Sequence, residues 1–108
     1  MSIPDFQSLL RLVLQIIANG VTNAGEIRKE AAAQSKLSQE ELAQKGPRGR
    51  QTLFANHVAF SFVHLQFAGF IGKKGTQSYE ITETGLRALR EGPPQFDLRY
   101  LQQQPGYR

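Results

Sequence analysis

Apolar residues recur at helical spacing from the first turn of the chain. Phe6, Leu9, Leu10, Val13, Leu14 and Ile17 fall on one face and predict a first amphipathic helix. Pro4 and Asp5 suit its start and Gly20 its stop. Val21-Thr22 reads as a short extended link. Asn23 with Glu26 has the spacing of a capping box and opens a second helix, Ala24 to Ser35, whose apolar content is thin: Ile27 and Ala31. Ser38 with Glu41 opens a shorter one, Gln39 to Gln44. Two glycines and a proline then make Lys45 to Arg50 a loop.

A long helix follows from Thr52 to Ala68, with Gly69 as its stop. At helical spacing, Phe54, Val58, Ser61, Leu65 and Ala68 form the centre of its buried side. Leu53, Phe60 and Phe67 lie on one flank and Phe62 on the other. An apolar arc this wide predicts packing between several elements. The remaining arc holds Thr52, Ala55, Asn56, Ala59, Val63 and Gln66, all uncharged. Phe70-Ile71 starts a strand, Lys73 to Thr76 turns, and Ser78 to Ile81 returns. Thr82 caps a last helix, Glu83 to Glu91, expected to bury Leu86 and Leu89. Gly92-Pro93-Pro94 closes the compact part. The division expected is a folded domain over 1–92 and a semi-ordered tail or linker over 93–108.

Helix, link, helix, short helix, long helix, two-stranded hairpin and helix is the order of a winged helix-turn-helix. The fold class expected is therefore α+β, a helical core with a wing of two to three strands. In that architecture the long helix reads the major groove of a duplex.

Charge sharpens the picture. The chain has 108 residues and a formal net charge of +4. Its acids avoid one region: Leu42 to Tyr79 contains no Asp or Glu, yet carries Lys45, Arg48, Arg50, Lys73 and Lys74. Phosphate is repelled by carboxylates and held by Lys and Arg, so this distribution suits a polyanion-binding face. The loop cations Lys45, Arg48 and Arg50 are expected to grip phosphate where the long helix begins and its N–H groups are free. Lys73 and Lys74 are expected to do so from the hairpin. Gln51, Thr52 and Asn56 would stand nearest the bases, Asn56 being able to bond adenine bidentately, and Ala59 would allow close approach.

Other chemistries find little support. The chain has no cysteine, so no disulfide or cysteine-based metal site. His57 and His64 are two helical turns apart, roughly 10.5 Å, too far for one small metal site. No carboxylate cluster beside a lysine suggests metal-assisted hydrolysis, and Gly46-Pro-Arg-Gly49 lacks the ending of a P-loop. No cofactor, metal or catalytic residue is expected. No apolar run reaches the roughly 20 residues that span a bilayer, and the N-terminus lacks a signal-peptide layout. The cytoplasm is the expected compartment.

Several segments carry a family likeness: Ile3-Pro-Asp-Phe6, Leu37-Ser-Gln-Glu-Glu41, Gly49-Arg-Gln-Thr-Leu-Phe-Ala-Asn-His-Val58, Ala68-Gly-Phe-Ile71, Tyr79-Glu-Ile-Thr-Glu-Thr-Gly85, Phe96-Asp-Leu-Arg-Tyr-Leu101 and Pro105-Gly-Tyr-Arg108. Together they resemble the N-terminal winged-helix domain of Mrr-type restriction endonucleases, over nearly the whole chain. The resemblance implies double-stranded DNA as partner. It also implies a C-terminal nuclease domain in a longer parent that cuts DNA bearing methylated bases. On that reading this chain carries no nuclease residues and is not itself an enzyme. One departure stands out: Phe62, Val63, His64 and Phe67 are more apolar than the family's usual pattern. That favours a packing or homodimer surface. The alternative readings are a protein-interaction module and a small transcriptional regulator.

Overall fold

The computed structural model describes residues 3–46, 49, 51–105 and 107. The elements in chain order are α1 (Phe6–Ala18), α2 (Ala24–Gln34), α3 (Gln39–Ala43), α4 (Leu53–Phe67), β1 (Ile71–Lys73), β2 (Tyr79–Ile81), α5 (Glu83–Glu91) and α6 (Leu98–Gln102). The class is α+β: helices around one core, with a small antiparallel sheet of two strands. Among the described residues, no helix is long and apolar enough to cross a membrane.

Local chemistry explains the helix starts. The Asp5 carboxylate accepts the Ser8 N–H at 2.9 Å, and this bond holds its pKa below the usual aspartate value. Asn23 accepts from Gly25 and Glu26 N–H groups. The full reciprocal box forms at Ser38 and Glu41, each side chain taking the other residue's N–H. Thr52 caps α4 through the Ala55 N–H, and Thr82 caps α5 through that of Gly85. The end of α4 is equally specific. Phe70 N–H bonds the Leu65 carbonyl and Gly69 N–H that of Gln66, a closure that needs a left-handed residue at position 69, where φ is +80°.

The core is α1 against α4. Leu9, Leu10, Val13, Leu14, Ile16 and Ile17 of α1 are buried, with Phe54, Val58, Ser61, Phe62 and Leu65 of α4. Ser61, the buried polar residue, donates its hydroxyl to the Val58 carbonyl at 2.6 Å. The expected centre of the α4 face is thus the buried one, but its flank is not. Phe60 and Phe67 are 48% and 40% exposed, Phe6 and Tyr107 meeting these rings at one side only.

The hairpin pairs Ile71 with Ile81, Gly72 with Glu80 and Lys73 with Tyr79. It folds back along α4, since the Tyr79 ring stacks on Phe62 at 4.5 Å. The link before α2 joins as a minimal third strand: Asn23 bridges Ser78, and Tyr79 N–H reaches the Thr22 carbonyl at 2.9 Å. On α5 the buried residues are Gly85 and Ala88; the expected Leu86 and Leu89 are only half-buried. α5 approaches with its backbone, and a Cβ on Gly85 would run into the Phe70 carbonyl. Large side chains therefore sit beside that contact, not in it.

The segment after Pro94 departs most from expectation. It is not semi-ordered along its length: Asp97 caps α6 through the Tyr100 N–H, and Phe96 and Leu101 are buried. Phe96 and Tyr100 close over Phe70, with ring centroids 5.9 and 6.1 Å away. Arg11 latches the segment to α1. Its guanidinium donates to the Leu89 and Pro93 carbonyls and lies 5.2 Å from the centre of the Phe96 ring. The Gln7 side chain accepts the Leu98 N–H. Further on, the Tyr107 hydroxyl meets the His64 Nδ1 at 2.9 Å, and the His64 ring stacks on Phe6 at 4.8 Å. His57 similarly donates from Nδ1 to the Pro4 carbonyl at 2.8 Å, so both histidines are packing residues.

Three outcomes follow from this packing. Truncation after Pro94 removes Phe96 and Leu101, each worth roughly 1.5–3 kcal/mol of burial; the thermal midpoint should drop sharply, and an unchanged melt would contradict the packing described. Gly85→Ala should cost about 1–3 kcal/mol in a denaturant titration, since the overpacked atom meets backbone, whereas Thr84→Ala, at an exposed site, should cost far less. Burial holds the His64 pKa below its ordinary 6.5. The folded state therefore binds that proton less readily than the unfolded chain does. Its stabilising effect is full above the unfolded pKa and is lost as pH falls through the folded one. The thermal midpoint should decline on acidification below about 6.5, and His64→Gln should flatten that decline.

Candidate nucleic-acid interface

The acid-free stretch folds as one continuous unit: the loop after α3, then α4, then the hairpin as far as Tyr79. Its loop has a closed neck. Lys45 bridges Thr52, Leu53 N–H bonds the Gln44 carbonyl at 2.8 Å, and Gly46 N–H bonds that of Gln51 at 2.9 Å. Sequence punctuation concealed this pairing, because glycine and proline suggest an open loop while the neck is ladder-like. Gly49 turns the tip with φ +68°. Arg48 and Arg50, expected to contact phosphate, lie outside the described residues. Lys45 and Gln51 are exposed at the neck, and Thr52 is half-buried.

The neck corrects one expectation. The start of α4 does not offer a row of free N–H groups to an anion. Leu53 N–H is committed to Gln44, Ala55 N–H to the Thr52 hydroxyl at 3.2 Å, and Asn56 N–H to the Thr52 carbonyl.

Asn56 and Ala59 lie on the outward side of α4, Asn56 half-buried and Ala59 exposed. Val63 and the ring of Phe60 follow on the same side one turn later, exposed at 41% and 48%. This face carries no charge, and neither does the rest of α4 from Leu53 to Phe67. Lys73 and Lys74 are exposed at the far end of the hairpin, where Lys74 N–H closes the turn on the Ser78 carbonyl at 2.9 Å. Because Tyr79, the partner of Lys73, stacks on Phe62, Lys73 stands alongside the middle of α4 and not beyond its end. The structure thus brings Gln51, Thr52 and Lys45 together at the start of α4, Asn56 and Ala59 onto its outer face, and the two lysines beside it.

The periodicity placed Phe60 and Phe67 on a packed flank, and only the departure from the family's pattern pointed to an apolar surface on the second half of α4, where Phe60, Val63 and Phe67 are exposed. Its signal was present in the spacing of Phe60, Val63 and Phe67, but a wide apolar arc reads as burial when the neighbours are unknown. Among the described residues, no group of three or more His, Cys, Asp or Glu could hold a metal ion.

The model of the Mrr N-terminal domain matches residues 6–91, from the first residue of α1 to the last of α5. No curated protein matches the chain. No solved structure matches it either. The matched domain is the N-terminal one of these proteins and not their catalytic nuclease domain. With that match over most of its length, the chain belongs to the family of the Mrr N-terminal domain, the N-terminal domain of Mrr-type restriction proteins.

Proposed function

We propose that this domain is a winged-helix module that binds double-stranded DNA for a restriction system, with the hairpin as its wing. The observation that carries the reading is the absence of carboxylates from Leu42 to Tyr79, in a chain that has nine acids elsewhere; the hairpin's Glu80 follows Tyr79 in β2 and so stands on the sheet face opposite to that of Lys73 and Tyr79. Coulomb repulsion by even one carboxylate at a phosphate-contacting face would oppose binding. The exposed cations Lys45, Lys73 and Lys74 flank a neutral helix face, an arrangement suited to gripping phosphates on either side of a groove. Arg48 and Arg50 belong to the same loop and would add to the grip.

On this reading the first half of α4 enters the major groove, about 12 Å wide. Helix-turn-helix proteins commonly touch bases with the N-terminal residues of the reading helix. Gln51, Thr52 and Asn56 are the side chains nearest the bases, and Ala59 keeps the approach close. Membership of a restriction-related family supports a target carrying modified bases, with cleavage left to a nuclease domain in a longer parent.

Titration of the chain with matched methylated and unmethylated duplexes at two salt concentrations tests this. Binding should weaken steeply with salt. Lys73→Ala with Lys74→Ala should flatten the log–log salt slope by roughly one to two units and weaken all duplexes alike. Asn56→Ala should cost about 1–3 kcal/mol on the preferred duplex and little on others. Salt-independent binding, or lysine variants that bind with the parent's slope, would remove the reading.

A further inference from the structure

α2 packs chiefly on α1, and α3 on α4. Between these two pairs the surface is open, and a groove of about 430 Å³ runs there. Its floor is made by Ala32 of α2, Leu37, Leu42 of α3 and Phe54 of α4. Leu37 and Leu42 pack on the core yet stay only half-buried. The volume lies within the roughly 300–1,000 Å³ common to binding sites. Arg28 and Lys29, both exposed, stand over this apolar floor. None of the described residues that line the groove is Asp or Glu. The acids nearby lie off its walls. At 100° per residue, Glu26 and Glu30 are about 90° and 130° round α2 from the centre of the face that holds Arg28, Lys29, Ala32 and Ala33. On α3, Glu40 is about 160° from Leu42, and Glu41 accepts the Ser38 N–H at 2.8 Å.

We propose that this groove docks an acidic amphipathic helix of another protein, with apolar side chains on the floor and carboxylates on Arg28 and Lys29. Such recognition takes an apolar trough and a partner stripe at i, i+3, i+4 and i+7. Ala32 and Ala33 keep the α2 wall low, so a helix can come close. The two cations set the sign of the partner, since like charge at the rim is rejected.

The same residues argue against other occupants. A nucleobase needs hydrogen-bond partners for its edge. Apart from the two cations, the polar side chain here is that of Thr52, whose hydroxyl already caps α4 on the Ala55 N–H at 3.2 Å. A second copy has no suitable helix to offer. In α1, α2, α4 and α5, the four longer helices, acids never outnumber Lys and Arg. α3 is net acidic, but it has five residues and its Leu42 already belongs to the groove. Because Thr52 lines the groove, an occupant would border the duplex contact of the DNA-binding reading; the docking proposal does not rest on that reading.

A designed peptide tests the proposal on the whole chain, by fluorescence anisotropy and amide chemical-shift mapping. The probe is a helix of about 15 residues with leucine at i, i+3, i+4 and i+7 and glutamate between. Two control peptides carry lysine for its glutamates or alanine for its leucines. The probe should bind in the micromolar range and shift Arg28, Lys29, Ala32, Ala33, Leu37 and Leu42. Both controls should bind about tenfold more weakly or worse. Arg28→Ala with Lys29→Ala should weaken the probe about fivefold. Ala33→Glu, at an exposed position, should abolish binding while the thermal midpoint stays nearly unchanged. No binding at millimolar probe would overturn the proposal, as would variants or a lysine control that bind like the parent pair. Shifts gathered instead on Phe60, Val63 and Phe67 would overturn it too. A DNA duplex that shifts Ala32, Ala33 and Leu37 would give the groove to nucleic acid and remove the proposal; a duplex that leaves those three unmoved supports it, whether or not that duplex binds at α4.

Discussion

Phe70 is the residue on which the arrangement turns. Its N–H closes the end of α4 on Leu65, and its carbonyl receives the N–H of Thr82, whose hydroxyl is shared between the Gly69 and Phe70 carbonyls. The Phe70 carbonyl is also the surface against which Gly85 brings α5. Its ring is fully buried beneath Phe96 and Tyr100. The end of one helix, the base of the hairpin, the start of the next helix and the C-terminal segment are thus joined through one backbone unit and one side chain. Phe70 itself is fully buried, so losing its N–H bond to Leu65 would leave a buried polar group unpaired at a cost of about 1–3 kcal/mol.

Fixing α4 at that end decides what its other side presents. One arc of the helix is committed to α1 through Phe54, Val58, Ser61 and Leu65. What remains is an outward face with two characters along its length. The first half is small and polar, with Thr52, Asn56 and Ala59; the second is apolar, with Phe60, Val63 and Phe67. Lys45 stands at the start of α4 and Lys73 beside its middle, and no Lys or Arg lies on the helix itself. Such a division suits a proposed duplex contact at the helix start.

Much of this was legible in the sequence because it is local. Capping side chains at Asp5, Ser38, Thr52 and Thr82, and the αL stop at Gly69, act within one turn and are read from spacing alone. The centre of the α4 core face was equally readable, since 3.6-residue periodicity fixes it. What escaped is non-local. Phe96 and Leu101 look like residues of a proline-bounded tail until Arg11, Gln7 and Phe70 are known to meet them. The exposure of Phe60 and Phe67 depends on which neighbours are missing, and periodicity cannot supply that. The neck joining Lys45 to Thr52 is likewise a pairing across a loop whose composition argues against any strand. The same neck takes the Leu53 N–H, and the Thr52 cap that of Ala55, two of the helix-terminal groups that the sequence suggested were free for an anion.

The central claim is that duplex DNA meets the chain on the loop, α4 and the Lys73-bearing side of the hairpin, the stretch from Leu42 to Tyr79 that holds no carboxylate. Amide chemical-shift mapping with an unlabelled duplex measures it directly. The account expects perturbations concentrated at Lys45, Gln51, Thr52, Asn56, Ala59, Lys73 and Lys74, fading as salt is raised. Shifts gathered instead on the exposed cations of α2 and α5, Arg28 and Lys29 or Arg87 and Arg90, with α4 unmoved, would contradict it.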